Sequence, residues 1–382
     1  MSKSNELFKV LDEYIYFDSA QESQEYAKNN PGKTVVRNSE LDTLVESVVH
    51  KLVQKQPKLG ISPKMILDHL NEHVISQDEA KKDIALAMYY HSLKSKYSTN
   101  KIISTNGPVM IIGPTGSGKT FIVQKACEFI DTVFIHVDTS AMVPEGIKGY
   151  SIGTLAEEIV EKSKYNIHKA SHCVVFFDEI DKLFNSEDAS EYGPRVASQL
   201  LRLIEGTKIK LSDDIVEKIK YSSTDELDTS NIQFILGGAF QWILDEKSNK
   251  QPTMGFNNQT VENTNNEITL EDLYKEDIPK ELLGRMSTIV NLRKLSENDY
   301  FNILTNSKSS PLKEFINKVE FHGDRVEISD ATLLKVSMIV AKSELGVRAI
   351  KQTLNSMFSN ALFDTADGEY KTHVITYKEI FN

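Results

Sequence analysis

The run Gly113-Pro114-Thr115-Gly116-Ser117-Gly118-Lys119-Thr120 constrains this chain more than any other stretch. It follows the apolar Val109-Met110-Ile111-Ile112 and leads into Phe121-Ile122-Val123-Gln124-Lys125-Ala126, which reads as the opening turns of a helix. Strand, glycine-rich turn and helix are the context in which G-x-x-x-x-G-K-[ST] means a phosphate-binding loop. The expected fold is therefore α/β, a parallel sheet flanked by helices. Glycines let the backbone bend so that successive N–H groups face phosphate oxygens, and the following helix adds the positive end of its dipole. Lys119 would reach the β- and γ-phosphates, and the Thr120 hydroxyl would ligate Mg²⁺.

At 382 residues the chain has room for about two or three domains. Its formal charge of −11 and its pI near 5.4 argue against nucleic acid as a partner, because phosphate backbones call for clustered Lys and Arg. Two cysteines, Cys127 and Cys173, both sit in apolar surroundings, so neither a disulfide framework nor a cysteine zinc site is expected. The first residues lack the apolar core of a signal peptide, and no apolar run approaches the ~20 residues that span a bilayer. The reading is cytoplasmic, with no membrane partner. Residues 1–60 form one region, with amphipathic stretches, no recognisable chemistry and a linker at Gln54–Gly60; substrate or adaptor contact and a merely structural extension are both open for it. Residues 61–290 would hold the nucleotide-binding domain and residues 291–382 a smaller, mainly helical one. In the latter, Asn298–Phe315 and Asp330–Leu362 read as helices, the second broken at Gly346, and Thr372–Tyr377 as a closing strand.

A second strand, Val174-Val175-Phe176-Phe177, ends in Asp178-Glu179. An acidic pair after an apolar strand is the Walker B arrangement: Asp178 would hold the Mg²⁺ shell and Glu179 would polarise the attacking water. Between the two motifs, the polar loop Thr139–Thr154 carries Tyr150 beside Gly149, an aromatic placed as functional loop residues often are. The histidines give less. His69-Leu70-Asn71-Glu72-His73 matches H-x-x-E-H. A zinc site, however, needs a third protein ligand and a buried cleft, and Val74-Ile75-Ser76-Gln77 breaks the helix directly afterwards. The match is therefore set aside. His168 and His172, also four apart, read as solvated residues on a helix face.

Taken together, Gly113–Thr120, Asp178-Glu179-Ile180-Asp181-Lys182, Leu200–Thr207, Gly237-Gly238-Ala239-Phe240, Pro279–Arg285 and Gly346-Val347-Arg348 resemble the ClpX-type AAA+ unfoldases, in the family's order from about residue 63 onward. The resemblance implies an AAA+ domain with a C-terminal lid, a homo-hexameric ring hydrolysing ATP with Mg²⁺, and unfolded or tagged proteins as substrates. A ClpP-type peptidase is the implied partner. Val74 and Ile75 match the segment that lines the adenine pocket. Arg285 corresponds to the arginine finger serving the neighbouring subunit's site, and Arg348 to the sensor 2 arginine acting within its own chain. Taken alone, either arginine would read as a surface ion pair. Tyr150 matches the pore-loop aromatic that grips substrate, and Met254-Gly255-Phe256 resembles the peptidase-docking loop, with Met in place of Ile, Leu or Val.

The departures narrow this. Residues 1–60 contain no cysteine and cannot supply the family's zinc domain. The basic pore loop is replaced by Lys208–Asp228, which mixes both signs of charge, and Asp245–Glu271 reads as a long polar loop. A stand-alone remodeller that takes apart a particular complex without proteolysis remains the alternative.

Overall fold

The computed structural model describes residues 14–17, 34–37, 60–96, 107–184, 192–219, 224–249, 267–276, 278–343, 345–365 and 370–377. Contacts divide the chain into two units, Met1–Ile61 with Leu93–Ser104, and Ser62–Ser92 with Thr105–Asn382. In the first, β1 (Tyr14–Phe17) pairs in parallel with β2 (Thr34–Arg37), Tyr14 opposite Thr34.

Helix α1 (Pro63–His73) opens on Ser62, whose hydroxyl accepts the Met65 N–H at 3.3 Å, with Pro63 in its first turn where a missing N–H costs nothing. It closes at Val74, and α2 (Asp78–Lys96) follows. The sheet then begins with β3 (Val109–Ile112), α3 (Lys119–Phe129), β4 (Phe134–Asp138), α4 (Ile152–Lys162), α5 (Ile167–Ser171) and β5 (Val174–Asp178). After α6 (Gly193–Glu205) comes a small insertion: β6 (Lys208–Lys210), α7 (Asp213–Val216) and β7 (Glu226–Asp228). The domain is completed by β8 (Gln233–Gly238), α8 (Gln241–Asn249), α9 (Leu270–Leu273), α10 (Lys280–Leu283) and β9 (Thr288–Asn291).

Five of these strands form one parallel sheet in the order β4-β5-β8-β3-β9. Alternation along each strand splits its side chains between two faces. Val109, Ile111, Val174, Phe176 and Ile235 enter one core with α1, α2 and α3. Met110, Ile112, Val175, Phe177, Phe234 and Leu236 enter the other with α4 and α6. With both faces covered, the strands have no polar side, which is why they read as unbroken apolar runs.

The C-terminal part has a core of its own. It consists of α11 (Glu297–Thr305), α12 (Pro311–Glu320), β10 (Arg325–Ile328), α13 (Asp330–Lys342), α14 (Val347–Asp364) and β11 (Thr372–Ile375), with β10 and β11 parallel. Its elements refine the sequence reading. The single helix expected over Asn298–Phe315 is two, because a residue before proline is driven out of the helical region and Pro311 starts a new helix. Asp245–Asn249, expected in a loop, are the last turns of α8. His172, expected in solvent, is buried, its ring stacked on His168 with centroids 4.5 Å apart. The mixed charges of Lys208–Asp228 are arranged in an antiparallel hairpin that sets Lys208 opposite Asp228 and Lys210 opposite Glu226. None of the described helices is long and apolar enough to cross a membrane.

Candidate functional site

The phosphate loop leaves β3 between two neighbouring strands, and the Gly113 N–H donates to the Gly238 carbonyl at the end of β8. Gly116 and Gly118 hold φ of +74° and +99°, left-handed backbone that a side chain would strain. A Cβ at Gly118 would meet nothing within 4 Å, while beside it the Ser117 hydroxyl is buried with no hydrogen-bond partner. The loop thus encloses open space with an unsatisfied polar group in its wall, at the N-terminus of α3. That arrangement fits a phosphate. Lys119, buried, donates to the Gly113 carbonyl at 2.6 Å and the Pro114 carbonyl at 3.2 Å. Burial lowers its ammonium's hold on the proton and the Arg348 charge adds to this, against the pull of Asp178 and Asp181.

Across the cleft, Asp178 ends β5 where four groups meet it. Thr120 Oγ1 donates to Oδ2 at 3.2 Å, the His136 ring nitrogen Nε2 lies 3.3 Å from the same oxygen, and the Glu179 N–H donates to Oδ1 at 3.0 Å. Thr139 fixes the Asp178 carbonyl at 2.8 Å. Burial alone would raise the Asp178 carboxyl; the His136 bond, the Lys119 charge and the Glu179 N–H outweigh it and hold the group below the usual carboxylate range. An ionised carboxylate beside a hydroxyl is the hard oxygen pair that Mg²⁺ takes from a protein, so the residues fit that ion. Glu179 sits in left-handed backbone at φ +58° and forms an ion pair with Lys182 at 2.5 Å. Asp181, buried, accepts the Phe240 N–H at 3.1 Å and so ties this strand end to the end of β8.

Packing explains the glycines at 237 and 238. A Cβ on Gly237 would lie 2.4 Å from Phe176 Cζ, and one on Gly238 2.5 Å from the Phe240 ring. Their backbones are the floor beneath the acidic strand end, and the aromatic rings leave no room for anything larger.

The two arginines occupy opposite situations. Arg348 lies in the first turn of α14, directly on the phosphate loop: the Val347 N–H donates to the Gly116 carbonyl at 3.3 Å. A cleft of about 450 Å³ opens here between Pro114–Ser117 and Gln241 on one side and Lys294, Leu295, Tyr300, Ser343 and Gly346 on the other. Arg285 precedes β9 and lies at the other end of β3, where a Cβ on Gly107 would come within 2.6 Å of its carbonyl. From Gly107 to Gly113 the strand runs roughly 20 Å. The Arg285 side chain, half exposed, meets Glu205 at 2.7 Å.

Val74 is buried in the core under the sheet and Ile75 is half-buried. The two residues after them are strained, with φ of +58° at Ser76 and +61° at Gln77, and both are tied to the start of the C-terminal part. The Gln77 amide exchanges bonds with the Arg293 backbone at 2.9 and 3.1 Å, and the Ser76 hydroxyl donates to Asp299. Asp299, buried in turn, accepts both arms of Arg293 at 2.7 and 3.1 Å and the Ser296 N–H and hydroxyl at 2.7 and 2.8 Å. Tyr150 does not project freely. Its ring packs against the core beside α4, its hydroxyl donates to Glu158, and its carbonyl accepts the Val143 N–H at 2.9 Å. Met254, Gly255 and Phe256 lie outside the described residues.

His136, Asp181, Gln77 and Asp299 are the site's additions to the sequence reading. The β4–β5 register sets His136 opposite Phe176 and on the sheet face that bears Asp178, a pairing the sequence alone does not give. Residues 104–289 match the family model of the AAA domain (Cdc48 subfamily), a span that runs from the entry of β3 through the phosphate loop and the acidic pair into β9. This part of the chain is an AAA+ ATPase domain.

Proposed function

We propose that the chain is a ClpX-type unfoldase and translocase, working as a homo-hexameric ring with ATP and Mg²⁺. The observation that carries the ring is the placement of Arg285. It is half exposed at the end of β3 remote from its own phosphate loop, so it cannot serve the nucleotide held by its own chain, whereas a neighbour's site could receive it. A positive charge arriving there offsets charge developing on the γ-phosphate, an effect worth about 10³–10⁵ in rate in GTPases. Within one chain, Ser117, Lys119 and the α3 N-terminus bind phosphate, and Thr120 and Asp178 hold the metal. Glu179, once released by Lys182, orients the water and takes its proton. Arg348 reads the phosphates from the C-terminal side. Mg²⁺, when bound, neutralises phosphate charge.

Pulling on substrate falls to the Tyr150 loop. Its tyrosine is held by Glu158, so gripping a chain requires that bond to open. Delivery to a ClpP-type peptidase rests on the Met254–Phe256 motif alone. The test is a fluorescent, degradation-tagged reporter incubated with this chain, ATP and a ClpP-type peptidase, with Glu179→Gln as control. Fluorescence lost only with all components supports the reading. Unfolding that ignores the peptidase and survives Phe256→Ala favours a stand-alone remodeller. ATP turnover without any unfolding refutes translocation, and an arginine-finger variant (Arg285→Ala) that retains full turnover refutes the shared site.

A further inference from the structure

Helix α1 ends in a cluster that nucleotide chemistry does not use. His69 and His73 are four residues apart, so the helix brings them to one face, and their ring centroids lie 4.6 Å apart. Glu72 joins them from the same turn: one donor atom from each of the three lies within 4.8 Å of the other two. A tetrahedral zinc with ligands at about 2.0–2.2 Å sets its donors about 3.3 Å apart, a gap that small side-chain rotations close. The third ligand missing from the H-x-x-E-H pattern is thus the pattern's own glutamate. The enclosed cleft of a protease is not there, and Glu72 is exposed.

Two further observations single the cluster out. His69 Nε2 is buried without a hydrogen-bond partner, its ring lying against Phe129 with centroids 5.0 Å apart. Such an orphaned acceptor calls for a ligand. His73 is held through its other nitrogen, Nδ1, which lies 2.6 Å from Ser309 Oγ. That leaves Nε2 as the ring's remaining donor, and an imidazole fixed through its far nitrogen is the usual support of a metal ligand. Two imidazoles and one carboxylate suit Zn²⁺, Co²⁺ or Ni²⁺ and serve Mg²⁺ or Ca²⁺ poorly.

We propose that His69, Glu72 and His73 bind a divalent transition ion, Zn²⁺ foremost, with water completing its coordination. The place gives the site a consequence. The turn between α11 and α12 grips this end of α1: the Lys308 N–H donates to the Glu72 carbonyl at 2.8 Å and Ser307 Oγ to the His73 carbonyl at 2.7 Å. Lys308 Nζ also pairs with the Glu72 carboxylate at 2.7 Å. An ion taking Glu72 displaces Lys308 while Ser309 stays on His73, so metal removes one of the ties between α1 and this turn and keeps the other.

Cobalt tests this on the full chain, with the nucleotide site saturated by Mg²⁺ and ADP. Tetrahedral Co²⁺ bound through nitrogen absorbs strongly in the visible, whereas Co²⁺ in an all-oxygen octahedral site does not. The expected result is a saturable visible band displaced by Zn²⁺ and lost in His73→Ala. The exposed Glu72→Gln, which leaves the fold alone, should weaken binding about tenfold, and Ser309→Ala by about 10- to 100-fold. Lys308→Met should tighten it a few-fold, because the competing ion pair is gone. His168→Ala, in the other histidine pair at this spacing, should change nothing. Absence of a band in the wild type, a band unaltered by Glu72→Gln and His73→Ala, or one that moves with His168→Ala overturns the proposal.

Discussion

Replacing Asp299 by asparagine probes the joint between the Val74–Gln77 segment and the C-terminal part. Five donor groups converge on its two oxygens: the Ser76 hydroxyl and one Arg293 arm on Oδ1, the other Arg293 arm and the Ser296 N–H and hydroxyl on Oδ2. Asparagine keeps the shape but turns one oxygen into a donor, so at least two donors would face an NH₂ whichever way the amide is turned. A hydrogen bond to a charged group contributes about 1.5–3 kcal/mol, and losses within one network do not add. Arg293 is 55% exposed and recovers hydration. A loss of ~2–4 kcal/mol follows, or roughly 5–15 °C in Tm for a folding unit of this size. Acid provides the second arm. Burial pushes the Asp299 carboxyl up, but the Arg293, Ser76 and Ser296 bonds outweigh it and leave the group far below its usual range. A depressed carboxyl contributes stability above its unfolded pKa of about 3.9 and loses it as pH falls through the folded value. The gap between wild type and variant should therefore be flat above about pH 5 and shrink below about pH 4. Urea unfolding across that range measures it. A variant within ~0.5 kcal/mol of wild type at neutral pH, or a gap that persists in acid, would refute the reasoning.

Three more predictions rest on other parts of the site. At Ser76, glycine loses the Asp299 bond but relieves left-handed strain of ~1 kcal/mol, whereas alanine loses the bond and keeps the strain; Ser76→Gly should be the milder variant by that amount in the same assay. Glu179→Gln should cut phosphate release by ~10²–10⁴ while fluorescent-nucleotide affinity stays within a few-fold, and parallel loss of binding would show that Glu179 acts in holding nucleotide. Gly237→Ala drives a Cβ into Phe176 and should cost ~1–3 kcal/mol by chemical denaturation; unchanged stability would mean the ring has room to move.

What could be read in the sequence was local. The phosphate loop spans eight consecutive residues whose backbone demands are written in glycine, and Asp178-Glu179 declares itself at a strand end. Asp181 on Phe240, Gln77 on Arg293 and Ser309 on His73 join residues far apart in the chain, and no periodicity encodes such pairs. His172 misled because a histidine at the end of a short polar helix looks solvated, yet α5 packs against α4 and β7 and His172 is buried. The H-x-x-E-H pentad was visible, but the Ser309 and Lys308 contacts on His73 and Glu72 come from more than two hundred positions away. Arg285 was singled out only through resemblance; the structure puts it at the end of β3 away from the phosphate loop.

The contact between Gly116 and Gly346 sets how closely α14 is tied to the phosphate loop. A Cβ on Gly346 would lie 2.9 Å from Gly116 Cα, so main chain rests directly on main chain. Side chains absorb small displacements by changing rotamer, and this joint has none to do so. A shift of the phosphate loop is passed undamped to α14, whose 18 residues make a rigid arm of about 27 Å. In mechanical terms the joint has no backlash: a displacement of the loop by a fraction of an ångström displaces the root of the arm with it.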